Sequence, residues 1–337
     1  MSANTPSHAL VGLLPVLTFL ATLLYLDSYK LVKLRAVIAV VACGAVMAGA
    51  SYLTNAWALD LVNIDLSHFS RYVAPVTEEL LKGLVIVVLI RSHRIGFLVD
   101  AAIFGFAVGT GFAMVENLYF LGLIPDAGIG TWIVRGFGTA IMHGGATAIF
   151  AVMGVAMLER AKRANLQALF PGFGLAVVLH SGYNHLSHSP RISTLAIFLV
   201  LPPLLYAVFE HSEKAVGNWL GKGFDADTEM LELINSGSLS DSPVGEYLHT
   251  LKDKFRGPVV ADIVCYLRLY TELALRAKGI LIMRENGFDV PVDEPTKAKF
   301  TEMRYLEDSI GKTGLMAIQP MLHMNHKDLW QLYMLGK

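Results

Sequence analysis

Two adjacent carboxylates, Glu78 and Glu79, and an ammonium, Lys82, interrupt the apolar stretch PVTEELLKGLVIVVLI at residues 75–90. Further along, FGFAVGTGFAMVENLYF carries Glu116 and Asn117, RGFGTAIMHGGATAIF carries His143, and GLAVVLHSGYNHLSH carries His180, Asn184 and His185. Ionisable groups at bilayer depth cost about 2.5–3.5 kcal/mol each on insertion scales and by default mark a functional site. These residue types together can hydrolyse an amide. One glutamate takes a proton from water as general base, and a neighbouring carboxylate that keeps its proton acts as the acid. Imidazole and the Asn184 amide donate hydrogen bonds to the oxyanion. Glu79, Glu116, His143 and His180 can instead hold Zn²⁺ with one position left open. The chain has no HExxH and no two histidines at a familiar zinc pairing, so metal-free and zinc-dependent chemistry both stay open.

The elements that position these groups follow from composition. Of 337 residues, 54% are hydrophobic and 16% charged, against about 25% charged in soluble domains. The net charge of −1 gives no reason to expect nucleic acid as a partner. A crossing needs about 20 mostly apolar residues. Seven runs qualify: 10–27, 36–59, 72–90, 97–123, 131–158, 168–187 and 193–210. Lys30, Lys33, Arg35, Arg91, Arg94, Arg160, Lys162 and Arg163 follow alternate runs; the other loops carry Arg71 and Arg191, with Arg135 near an interface. The positive-inside rule then places the N-terminus outside and the tail in the cytoplasm. The first ten residues lack Lys and Arg, so the first run reads as a retained helix rather than a cleavable signal.

At about 1.5 Å per residue, Glu79, Glu116 and His180 each lie roughly 10 Å below the outer surface, Asn184 shallower and His143 deeper at about 18 Å. Groups from four helices of alternating direction thus converge on one layer, while runs one, two and seven carry nothing comparable. His180 and Asn184 share a helix face. Glu78 and Lys82 stand in the order that favours a pair, which leaves Glu79 freer to face a cavity. Gly105, Gly109, Gly111, Gly144 and Gly145 allow close helix packing or leave room for a ligand backbone. Arg135 reads as snorkelling to the interface, and His185 and His188 as interfacial.

The ordered set Glu-Glu-x-x-Lys (Glu78, Glu79, Lys82), Phe-x-x-x-Glu-Asn (Phe112, Glu116, Asn117), His-Gly (His143, Gly144) and His-x-x-x-Asn (His180, Asn184) resembles the PrsW family of intramembrane proteases. That family is distantly related to the glutamate-dependent CAAX-prenyl endopeptidases, whose second motif ends in His where this chain has Glu116. The resemblance covers residues 70–190. It implies cleavage of a single-pass membrane protein near the outer face of a bacterial inner membrane, as in site-1 processing of an anti-sigma factor. It also implies Glu78 or Glu79 as the water-activating group, with Glu116, His143, His180 and Asn184 completing the site and Lys82 and Asn117 in support.

The expected fold is therefore all-α: a polytopic membrane helical bundle of about seven transmembrane helices over 1–210, followed by a mostly helical cytoplasmic domain over 211–337. In the latter, turn signals fall at NSGS and DSP, and Val260, Ile263, Val264, Leu267, Tyr270 and Leu273 recur at helical spacing. Its cytoplasmic partner is not legible. Cys43 and Cys265 are too few and too distant for a disulfide framework. The rival reading is a proton-coupled transporter or channel using the buried Glu, His and Lys groups, although no internal repeat supports it. A third reading is a scaffold whose polar cluster only holds helices together.

Overall fold

The computed structural model describes residues 5–62, 64–160, 166–185, 190–288, 290–319 and 321–322. Lys162, Arg163 and His188 lie outside them. Every element among the described residues is helical. The chain divides into two compact units, Met1–Glu213 and Lys214–Lys337.

The first unit contains α1 (Thr5–Leu26), α2 (Leu34–Val62), α3 (Leu66–His68), α4 (Ala74–Arg91), α5 (Leu98–Leu123), α6 (Ile129–Ile133), α7 (Ile141–Arg160), α8 (Phe170–His185) and the start of α9 (Pro190–Ser236). Wide π-helical turns, Phe69–Val73 and Val134–Ala140, lead into α4 and α7. Five helical spans are long and apolar enough to cross a membrane: Pro6–Leu26, Leu34–Val62, Leu98–Leu123, Ile129–Glu159 and Arg191–Ser236. The protein is an integral membrane protein. The two other apolar runs of the sequence form α4 and α8. In α4 the four charges of Glu78, Glu79, Lys82 and Arg91 set it apart from the five, and the described part of α8 has 16 residues.

Close contacts fix the helix directions. Gly12 and Phe19 of α1 meet Asn117 and Phe106 of α5, so these helices run antiparallel. Gly109 and Gly105 of α5 meet His143 and Ala148 of α7, again antiparallel. Gly44 and Tyr52 of α2 meet Val108 and Tyr119 of α5 in parallel order. Lys82 and Gly83 of α4 meet His143 and Phe150 of α7 in parallel order. Gly172 of α8 meets Phe150, and Tyr183 meets Gly138 ahead of α7, which sets α8 antiparallel to both. Thr194 and Leu201 of α9 follow Gly138 and Gly145 in parallel order. Direction therefore alternates along all seven apolar runs.

The central helix is α5, buried from Val99 to Ala113 on every side. A helix that is apolar all round belongs in such a place. Its glycines are packing devices rather than a ligand cradle. A Cβ at Gly105 would lie 2.7 Å from the Thr147 carbonyl oxygen, and one at Gly109 would run into the His143 carbonyl. Gly111 and Gly44 do the same between α5 and α2. Backbones brought this close fix the height of His143 against Glu116.

In the second unit, α9 continues as helix well past the end of the apolar run at residue 210, to Ser236. Gly237, with φ of 77°, closes it in the left-handed region that favours glycine. Ser242 caps α10 (Pro243–Leu251) by accepting from Gly245 N at 3.1 Å. Val260, Ile263, Leu267, Tyr270 and Leu273 form the buried stripe of α11 (Gly257–Glu285), which packs on α12 (Glu294–Ile318). Cys43 and Cys265 are free and exposed.

Candidate active site

The π-helical turns set two site-bearing stretches: Glu78, Glu79 and Lys82 follow the first, and Arg135 lies in the second, ahead of His143. Such turns recur at functional sites. The polar side chains of α4, α5, α7 and α8 meet in one connected chain. His180 Nδ1 lies 2.8 Å from Glu79 Oε1, and Lys82 Nζ donates to the same oxygen at 2.5 Å. Lys82 Nζ also stands 3.1 Å from His143 Nδ1 and 4.8 Å from the Phe112 ring centre. His143 Nε2 is 2.8 Å from Glu116 Oε2. Glu116 Oε1 accepts from Arg135 Nη2 at 3.1 Å, and Arg135 Nε donates to Asn117 Oδ1 at 2.9 Å. Asn117 Nδ2 then donates to the Gly12 carbonyl of α1 at 2.7 Å.

These partners assign the ring protons. An ammonium only donates, so His143 Nδ1 accepts from Lys82 and Nε2–H points to Glu116. A carboxylate only accepts, so His180 carries its proton on Nδ1 toward Glu79. In the neutral ring that leaves His180 Nε2 with a lone pair; this nitrogen stands 3.8 Å from Glu78 Oε2. Each imidazole is thus backed by its own carboxylate. The two rings lie edge to face, 4.8 Å between centres.

Burial separates the members. Lys82, Glu79, His143 and His180 are buried, whereas Glu78 and Glu116 keep 15% and 28% of their side chains exposed and form the open side of the cluster.

Four expectations are corrected. Lys82 pairs with Glu79 three residues back, not with Glu78 four back, because its ammonium turns toward His143 on α7. Glu79 is consequently the enclosed carboxylate and Glu78 the open one. Arg135 does not snorkel; Glu116 and Asn117 take its guanidinium, which lies over the Phe120 ring at 3.8 Å. Helix α2 is not silent: Asn55 Nδ2 donates to Glu78 Oε1 at 3.2 Å, held by Ser51 Oγ at 3.2 Å and by the Thr77 hydroxyl on its Oδ1. The sequence signal for Asn55 was present, since Ser51 and Asn55 are four apart on one face of an apolar helix. Asn184 lies at the rim and donates to the Ser70 carbonyl at 2.8 Å. His185 Nδ1 is 2.7 Å from the Ser181 carbonyl, with its ring edge on Tyr72.

The donor set fits a divalent ion of zinc's chemistry. Glu78, His143 and His180 each offer a ligand atom, all within 4.8 Å of one another. Two nitrogens and a carboxylate oxygen suit zinc, with room for a further ligand. Imidazole ligands held at their other nitrogen by carboxylates are the usual outer shell of such sites, and Glu79 and Glu116 stand in those places. This close group has Glu78 where the sequence alone suggests Glu79 and Glu116 beside His143 and His180. An ion taken by His143 through Nδ1 displaces the Lys82 ammonium from that nitrogen.

Carboxylates backed onto imidazoles inside a helical membrane bundle are the equipment of a membrane-embedded hydrolase. The chain belongs to the PrsW family of intramembrane metalloproteases, whose family model matches residues 33–208, more than half its length. Among curated proteins and among solved structures, none matches it.

Proposed function

We propose that this intramembrane protease is a zinc-dependent endopeptidase that cuts a single-pass membrane protein near the outer face of the bacterial inner membrane, with its N-terminus outside and its tail in the cytoplasm. The observation that carries the chemistry is the pair of carboxylate-backed imidazoles with Glu78 facing the free nitrogen of His180. The outer location rests on the loop charges, with Lys30, Lys33, Arg35, Arg91 and Arg94 on one side. A regulator such as an anti-sigma factor is the class of substrate the family resemblance suggests.

Glu78, His143 and His180 would hold the ion. Zinc supplies Lewis acidity, which polarises a carbonyl and acidifies water. Glu79 fixes the His180 tautomer, and Lys82, buried with it, neutralises Glu79. Glu116 is the carboxylate left to receive the water proton and return it to the leaving amine: it is the most exposed of the three, and Arg135 fixes its orientation. The second N–H of Asn184, beyond the one given to Ser70, is available to the oxyanion at the rim.

The test compares new N-termini of membrane proteins, by peptide mass spectrometry, in cells expressing wild type, Glu78→Gln or Glu116→Gln at matched levels, together with the zinc content of each purified protein. Glu78→Gln is expected to lose both zinc and cleavage. Glu116→Gln is expected to keep zinc and lose cleavage by roughly 10²–10⁴-fold. Identical N-termini in all three samples would remove the protease reading. Full cleavage by a zinc-free, chelator-treated enzyme would remove the metal.

A further inference from the structure

The entry to α4 is short of a backbone donor. In the turn Phe69–Val73 the Ala74 N–H reaches back five residues to the Phe69 carbonyl. The next residue is Pro75, which has no N–H to give. In π register that missing donor belongs to the Ser70 carbonyl, and in α register to the Arg71 carbonyl. Both carbonyls receive side chains from α8. Asn184 Nδ2 donates to Ser70 O at 2.8 Å, and Ser181 Oγ donates to Arg71 O at 2.6 Å. His185, on the same stretch of α8, sets its ring edge on Tyr72 at 4.8 Å between centres. One residue before Ser181 is His180, whose Nδ1 meets Glu79.

We propose that Ser181 is a positioning residue: with Asn184 it clamps the wide turn ahead of α4 and so sets the register in which Glu79 meets His180. Pro75 withholds a donor from this stretch, and Asn184 and Ser181 bring two from α8, which ties the helices at the one height where a carboxylate and an imidazole must align. Ser181 touches neither substrate nor the reacting atoms; it acts through the seat it gives α4. This role rests on the protease reading for its catalytic consequence but not for its geometry.

The experiment uses the full chain in liposomes, with Ser181→Val and Ser181→Thr as a pair that differs in the hydroxyl alone. Cleavage is followed on a quenched fluorescent peptide copying the juxtamembrane segment found by N-terminal mapping. Separately, spin labels at exposed Val76 on α4 and Val178 on α8 report the spacing of the two helices, with Cys43 and Cys265 replaced. Ser181→Val is expected to broaden the label distance distribution and to lower kcat roughly ten- to hundredfold at unchanged KM. Ser181→Thr is expected to keep both near wild type. Val and Thr behaving alike in the distance measurement would overturn the clamp. A wild type that cleaves nothing, while the label distances still follow the hydroxyl, would sink the protease reading and leave the clamp standing.

Discussion

Among the described residues two lysines are buried, one in each unit, and their settings are nearly the same at first contact. Lys82 donates to Glu79 at 2.5 Å beneath the Phe112 ring; Lys278 donates to Asp227 at 2.5 Å beside the Trp219 ring, 5.2 Å from its centre. The difference lies one step further out. Lys278 is enclosed by its carboxylate, its aromatic ring and Gly223, where an added Cβ would lie 2.6 Å from Nζ. Lys82 passes its contact on to His143, and through it to Glu116 and Arg135. A buried ammonium with a closed set of partners holds helices together. One whose partners lead on to further titratable groups belongs to a site.

Substitution should separate the two. Lys82→Met is expected to reduce cleavage by about a hundredfold or more, because Glu79 loses its counter-charge and with it the fixed seat of His180. Peptide cleavage in liposomes by folded protein checks it, and wild-type activity would erase the contrast. Lys278→Met should act on stability instead. It leaves Asp227 without its buried partner and should cost about 3 kcal/mol, seen as a lower unfolding midpoint with kcat per folded molecule unchanged.

The smallest effect expected is at the surface of the second unit. Burial pushes Glu272 upward, but the hydrogen bond and charge of Lys299, with Arg268, hold it below its ordinary 4.5 overall. Its pairing therefore stabilises the fold above the ordinary carboxylate range and is lost as pH falls through the lowered value. The contribution is under about 1 kcal/mol for a pair this exposed. Thermal melts of wild type and Glu272→Gln should diverge above about pH 4.5 and converge in stronger acid. An equal gap at all pH values would count against the pairing.

The helices and the meeting of the polar groups were legible because apolar runs of crossing length alternate in direction and a fixed rise per residue converts position into depth. That Glu79, Glu116 and His180 come to one layer follows from counting alone; counting puts His143 deeper, and the side chains of Lys82 and Glu116 reach it. Partner choice did not follow. Spacing within one helix favoured Glu78 for Lys82, but a long flexible side chain answers to the neighbouring helix, and His143 is on it. Arg135 looked interfacial by position, yet Glu116, on a different helix, takes its charge. Asn55 escaped notice because a single carboxamide in an apolar run carries no charge, and its meaning depends on Glu78 being across from it.

The composition of α4 bears on how the protein is made. Glu78, Glu79 and Lys82 each cost about 2.5–3.5 kcal/mol against insertion, and with Arg91 they keep α4 out of the five spans that length and composition mark as membrane-crossing. Glu79 and Lys82 compensate each other within the helix, but their imidazole partners come late in synthesis: His143 lies 61 residues after Lys82, and His180 lies 101 residues after Glu79. The Lys82–Glu79 pair travels with α4 from the start, so what waits for α7 and α8 is the part of the cluster that does the work: its two imidazoles reach their places only when the last third of the membrane unit has been made.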